Sequence, residues 1–142
     1  MLAFADFYAL MGSDNAATVA VGEAVEFPNT GINSGNAIRL VTASTSQIQL
    51  AEIGIYMVTW LVSVTEAGQL MLELNGVENP SSVFGRATGA SQIAGIILIA
   101  TNTANSIIRI VNPPDNSTVL TITPGAGGAR AVSASLIILR IQ

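Results

Sequence analysis

Ile55-Tyr56-Met57-Val58-Thr59-Trp60-Leu61-Val62-Ser63-Val64-Thr65 is the stretch on which the reading of this 142-residue chain turns. Its β-branched and aromatic residues suit a strand, and a strand sends alternate side chains to opposite faces. One face then carries Ile55, Met57, Thr59 and Leu61, and the other Tyr56, Val58, Trp60 and Val62. Both faces are apolar. The pattern recurs where Ile96 and Leu98 oppose Ile97 and Ile99, and at the C-terminus, where Leu136 and Ile138 oppose Ile137, Leu139 and Ile141. A strand in a lone antiparallel sandwich should be apolar inward and polar outward. Two-faced strands need a second cover, and the sequence offers no amphipathic helix to supply it. Another subunit is the economical candidate, and a thicker closed barrel is the alternative. Burying an exposed Leu or Ile is worth roughly 1.5–3 kcal/mol, so a dozen such residues suffice to drive obligate association.

Around this stretch the chain reads as strand after strand. Further candidates are 3–11, 24–27, 37–41, 47–51, 69–75, 83–88, 92–100, 106–112, 118–123 and 131–141. Eleven short segments with turn residues between them predict an antiparallel sandwich or barrel rather than βαβ units. Asn75-Gly76 is the strongest hairpin signal, because a type I′ turn needs positive φ at both central residues. Pro113-Pro114-Asp115-Asn116 cannot continue a ladder, since neither proline donates an N–H. Pro124-Gly125-Ala126-Gly127-Gly128 separates the last two segments, and Pro28-Asn29-Thr30-Gly31 with Asn33-Ser34-Gly35 predicts an early loop. Neither a long-period repeat nor an interdomain linker is visible, so residues 1–142 read as one domain.

Composition narrows the chemistry. With no Cys, no His and no Lys, the chain has no thiol nucleophile, Ser-His-Asp triad, Schiff-base lysine or Cys/His zinc site. Nine acids against five arginines give a net charge of −4, which argues against nucleic acid or anionic lipid as partner. The longest stretch without polar side chains is the eight residues Ile93–Ala100, too short for a membrane-spanning helix. Met1–Met11 lacks a basic leader and carries Asp6, unlike a secretory signal. The expectation is a domain excised from a longer protein.

Gly54-Ile55-Tyr56-Met57-Val58-Thr59-Trp60, preceded by Ile48-Gln49-Leu50, resembles the Gly-x-Tyr-x-aromatic strand of the complement and tumour-necrosis-factor jelly-roll superfamily. Phe4-Ala5-Asp6-Phe7-Tyr8-Ala9-Leu10-Met11 is similar to the start of C-terminal domains in bacterial collagen-like spore-surface glycoproteins of BclA type. So are Asp14-Asn15-Ala16-Ala17-Thr18-Val19, Gly85-Arg86-Ala87-Thr88-Gly89, Asn116-Ser117-Thr118 and Ser133-Ala134-Ser135-Leu136-Ile137-Ile138-Leu139-Arg140-Ile141. The resemblance implies an all-β, antiparallel jelly-roll sandwich of about ten strands. It implies a homotrimer as well, set after a Gly-x-y stalk at the outer tip of exosporium filaments. By the same resemblance, the strand after Gly54 and the C-terminal strand lie in the sheet facing the threefold axis. Tyr56 and Trp60 have the bulk expected of a core, which they form with Val58, Leu136 and Ile138. Ile55, Met57, Thr59, Leu61, Ile137 and Leu139 then face the partners.

The remaining motifs are weaker. Glu23 and Glu26, three apart on a strand, point to opposite faces and make a poor acid/base pair. No loop has the acidic density that calcium needs, although Asp6, Asp14 and Asn15 could converge after folding. Gly125-Ala126-Gly127-Gly128 precedes a strand rather than a helix, and reads as a turn rather than a phosphate cradle. Asn116-Ser117-Thr118 fits an N-glycosylation acceptor but also a hydrogen-bonding turn. Trp60, Tyr56, Phe27 and Phe84 suit a core better than a sugar platform. Arg39, Arg86 and Arg109 are candidates for ion pairs across subunit contacts. The expected protein is structural, not an enzyme and without cofactor or metal. The alternative is an adhesion module that recognises a host or glycan partner.

Overall fold

A computed structural model describes residues 2–12, 14–15, 18–88, 91–122 and 132–142. Met1, the turn at Pro124–Gly128, and the Ala16, Ala17 and Gly89 positions of the quoted segments lie outside them. The strands are β1 (Ala3–Leu10), β2 (Thr18–Val19), β3 (Asn29–Asn33), β4 (Ile38–Leu40), β5 (Ile48–Leu50), β6 (Ile55–Val64) and β7 (Gly68–Leu74). There follow β8 (Val77–Glu78), a 3-10 turn at Pro80–Ser82, β9 (Phe84–Arg86), β10 (Ser91–Ala100), β11 (Ser106–Val111), β12 (Leu120–Thr121) and β13 (Val132–Arg140). One sheet runs β10-β6-β13-β1-β3. A second runs β4-β5-β11-β7-β8, with β9 also on β7, and β12 pairs with β2. The pairings are antiparallel. This is the all-β sandwich the pattern predicts.

The two sheets enclose one apolar core. Phe7, Tyr56, Val58, Trp60, Leu136 and Ile138 from the first sheet bury against Ile48, Leu50, Leu70, Leu72, Ile108 and Ile110 from the second. Asn75 and Gly76 join β7 to β8 with φ of 50° and 78°, the positive pair of a type I′ hairpin. The Asn75 side chain also accepts the Ile107 N–H at 2.8 Å, tying the turn to β11. The Tyr56 hydroxyl donates to the Glu52 carbonyl at 2.6 Å, pinning the turn that feeds β6.

Two expectations need correction. Residues 24–27 are not a strand. Ala24 makes a single bridge to Val111, Val25 N–H reaches the Ile110 carbonyl and Phe27 N–H reaches that of Thr45. Alternation survives, with Val25 and Phe27 buried, but the backbone crosses between partners instead of following one. Conversely, the expected loop at Pro28–Gly35 contains β3, which pairs with β1 despite its turn-forming composition. An edge strand needs a partner on one side only, so local propensity counts for less there.

Trp60 shows how tightly the layers meet. A Cβ on Gly95 would overlap Cε2 and Cζ2 of its indole, so β10 can lie against the ring only with glycine there. Phe84 meets the same ring edge-on, centroids 5.9 Å apart and planes at 77°. Gly95→Ala is expected to cost about 1–3 kcal/mol by overpacking, read as a lower melting temperature. An unchanged melt would show that Trp60 has room to move.

Candidate functional site

The register of the first sheet assembles its outward side chains into rows. Leu98 of β10, Met57 of β6, Leu139 of β13 and Phe4 of β1 stand side by side. The next row is Ile96, Thr59, Ile137 and Asp6, and the one after is Ala94, Leu61, Ser135 and Tyr8. Toward the C-terminal end, Ile55 pairs with Ala100, and its carbonyl accepts the Ile141 N–H. Leu98 is 59 % exposed, Ile96 55 %, Ile137 43 % and Leu61 41 %. Ile55, Met57, Thr59 and Leu139 are half-buried. Contiguous apolar patches beyond a few hundred Å² are rare on monomers and mark contact surfaces.

The structure thus brings Ile55, Met57, Thr59, Leu61, Ile137 and Leu139 together on one outward face. It places Tyr56, Val58, Trp60, Leu136 and Ile138 on the opposite, inward face, at most 1 % exposed. Ile96, Leu98 and Phe4 complete the outward rows. The alternation of Ile96 and Leu98 was visible in the sequence, but the alignment of all three with β6 and β13 needed the pairing. Asp6 is the one carboxylate in these rows. Its Oδ2 lies over Gly31 of β3, where an added Cβ would sit 2.7 Å away.

The weaker motifs fall elsewhere. Arg109 pairs within its own chain, Nε donating to Glu73 Oε1 at 2.9 Å and Nη2 to Oε2 at 3.1 Å. The two residues are direct cross-strand partners on β11 and β7, which corrects the expectation of a pair across subunits. Arg86 donates to the Thr88 carbonyl and hydroxyl. Arg39 is exposed on β4. Glu23 and Glu26 line a groove of about 310 Å³ with Asn15 and Arg109, and Glu26 Oε1 accepts from the Thr45 hydroxyl. Asp14 accepts from the Leu10 N–H and the Asn29 amide rather than joining Asp6. Among the described residues no three acidic side chains gather to hold a metal ion. Tyr56, Trp60 and Phe27 are buried and form no exposed platform. Asn116, Ser117 and Thr118 line a polar groove of about 570 Å³ with Gln69 and Arg86.

Among the solved structures whose fold matches this chain are two jelly-roll proteins. The globular domain of the zebrafish complement 1qA protein superposes with a TM-score of 0.66, 12 % identity, and cover of 99 % of this chain and 98 % of that one. Murine APRIL, crystallised at pH 8.5, superposes with a TM-score of 0.61, 11 % identity and cover of 98 % of each chain. The fold is therefore the complement C1q/TNF-like jelly roll. No protein-family model and no curated protein sequence matches the chain.

Sequence signals missed Glu66, which clamps the turn after β6. Burial favours its protonated form, but the Thr121 hydroxyl and N–H, each donating at 2.6 Å, outweigh this and hold the carboxyl below the usual range. A depressed carboxyl stabilises the fold above the unfolded carboxylate range and loses that contribution as pH falls through its folded value. Glu66→Gln should therefore melt below wild type at about pH 7, with the gap closing toward about pH 3. A gap that stays constant with pH would show that the ionised carboxylate is not what holds the clamp.

Proposed function

We propose that this domain is a structural, non-enzymatic head that assembles as a homotrimer through the outward face of the β10-β6-β13-β1-β3 sheet. The observation that carries the reading is the alignment of Leu98, Met57 and Leu139 beside Ile96, Thr59 and Ile137 in an apolar surface that no described strand covers. Covering it with a second and third copy removes those side chains from water, at roughly 25 cal/mol per Å² of apolar area. The fold it shares with the zebrafish complement domain and murine APRIL supports the same assembly.

The parent protein in this reading is a collagen-like glycoprotein of the spore surface, with the head at the outer tip of exosporium filaments. The sequence segments similar to BclA-type heads support that placement. The head acts mechanically. Three polyproline-like chains must be aligned before collagen winding propagates, and a trimeric head fixes their stagger at one end. A second reading, an adhesion module, draws on the polar groove at Gln69, Arg86 and Asn116, whose amides and guanidinium suit a glycan's hydroxyls.

Light scattering should give about three times the 14.6 kDa chain mass, with little salt dependence because the contact is apolar. Met57→Glu or Leu139→Glu would bury an ion at each of three contacts, costing several kcal/mol per ion, and should yield monomers. A wild-type monomer at micromolar concentration, or variants that stay trimeric with unchanged melting, overturns the assembly face. Fusing the head to a Gly-x-y repeat should raise the melting temperature of the triple helix. No rise would refute the registering role.

A further inference from the structure

Of the ten asparagines in the chain, Asn75 alone is followed by glycine. Asparagine is a chemically labile residue, and a following glycine puts no side chain beside the nitrogen that can attack its amide carbon. Asn75, Gly76, Val77 and Glu78 are all exposed, and a Cβ built on Gly76 would meet no atom within 4 Å. Water therefore reaches the turn from outside.

The closed hairpin opposes the reaction. Asn75 Oδ1 accepts the Ile107 N–H at 2.8 Å, and Nδ2 donates to the Ser106 hydroxyl at 3.1 Å. The Asn75 N–H donates to the Ile107 carbonyl at 2.8 Å. Closing a ring between the Gly76 nitrogen and Asn75 Cγ eclipses that nitrogen with Cβ about the Cα–C bond. This turns ψ of Asn75 far from the about 30° of a type I′ turn. The turn must open first, and little holds it shut. β8 is two residues long, lies at the edge of its sheet and sets Glu78 directly opposite Glu73 of β7. Like charges facing each other weaken a pair, and segments with few buried contacts open at low cost.

We infer that Asn75-Gly76 is a modification site, converted to aspartate and isoaspartate at a rate set by opening of the β7–β8 hairpin. The chemistry needs only water. The Gly76 nitrogen bonds to Asn75 Cγ, the Cγ–Nδ2 bond breaks, and the nitrogen's proton leaves with Nδ2 as ammonia. A cyclic imide remains, and water adds to one of its two carbonyl carbons. Opening at Cγ restores the peptide bond and leaves an aspartate side chain. Opening at the backbone carbonyl carbon leaves isoaspartate, with the chain routed through the side chain. Nothing is oxidised or reduced. Either product adds a negative charge to a hairpin that already carries Glu73 and Glu78 on its arms. Isoaspartate also adds a backbone atom for which a two-residue I′ turn has no place, so that product does not re-form the Leu74–Val77 pair.

The experiment ages the 142-residue chain in mildly alkaline buffer, folded in one arm and unfolded in urea in the other. Peptide mass mapping follows residue 75, and chromatography separates isoaspartate from aspartate. Asn75 should convert ahead of the other nine asparagines in both arms, and more slowly in the folded arm by roughly tenfold or more. Ser106→Ala removes the hydroxyl that holds Nδ2, and should raise the folded rate several-fold without changing the rate in urea. Glu78→Lys sets opposite charges across β7 and β8, and should lower the folded rate by roughly two- to fivefold, again with no effect in urea. Residue 78 is exposed, so this variant keeps the test standing if Ser106→Ala fails to fold. A folded chain that converts another asparagine before Asn75, or none on prolonged incubation, overturns the site. Equal rates in the two arms, or a folded rate that neither variant shifts, overturn the gating by the hairpin.

Discussion

β6 is hydrogen-bonded along its whole length, to β10 from Ile55 to Val64 and to β13 from Tyr56 to Val62. That double pairing constrains everything else in the first sheet. Because side chains alternate with period two, a slip of one residue would exchange Trp60 and Tyr56 for Thr59 and Met57 in the core. The bulk of Trp60 rules out the exchange. Its ring fills the space left by Gly95 on β10 and meets Phe84 from the other layer. With β6 in place, the registers of β13 and then β1 follow, and the outward rows are a by-product of the inward packing. The same event that builds the core builds the face.

Polar groups are handled differently on the two sides of the sandwich. The second sheet carries the cross-strand pair of Arg109 with Glu73, at partly exposed positions where the pair is worth little to stability, and further charges at Arg39, Glu78 and Arg86 keep that surface wet. The loops are tied by side chains bonded to backbone. Asn15 exchanges two hydrogen bonds with Glu26, and Ser82 both donates to and accepts from the Leu72 backbone. The outer face of the first sheet has almost none of this. Asp6 alone is charged there, and the contrast between the two surfaces of one small fold is what singles out the apolar one.

Several features were legible because they are local. The Asn75-Gly76 hairpin follows from backbone sterics at two residues. The two-faced character of residues 55–65, 96–99 and 136–141 follows from counting by twos. The absence of Cys, His and Lys removes whole classes of chemistry without reference to any fold. β3 was not legible, since Pro28, Asn29 and Gly31 carry turn propensity and only pairing with β1 draws Asn29–Asn33 into a sheet. The reverse held for residues 24–27, whose alternation is that of a strand but whose hydrogen bonds go to Ile110 and Thr45 in succession.

By itself, then, the sequence determined the all-β class, the spacing of the turns, and the presence of too much apolar surface for one sandwich to bury. Which apolar side chains become neighbours was decided only by the tertiary structure. Leu98, Met57, Leu139 and Phe4 come from four separated segments, and strand pairing alone sets them in one row. Arg109, read along the chain as a candidate for a pair across subunits, is paired with Glu73 of its own chain by the β11–β7 register. Against β1, Gly31 and Ile32 of β3 both lie opposite Asp6, a bulge that exists only in that pairing. The physical reason is common to all of these. A strand's side-chain pattern is a local property with period two, whereas its register is a long-range choice made by the packing of the core.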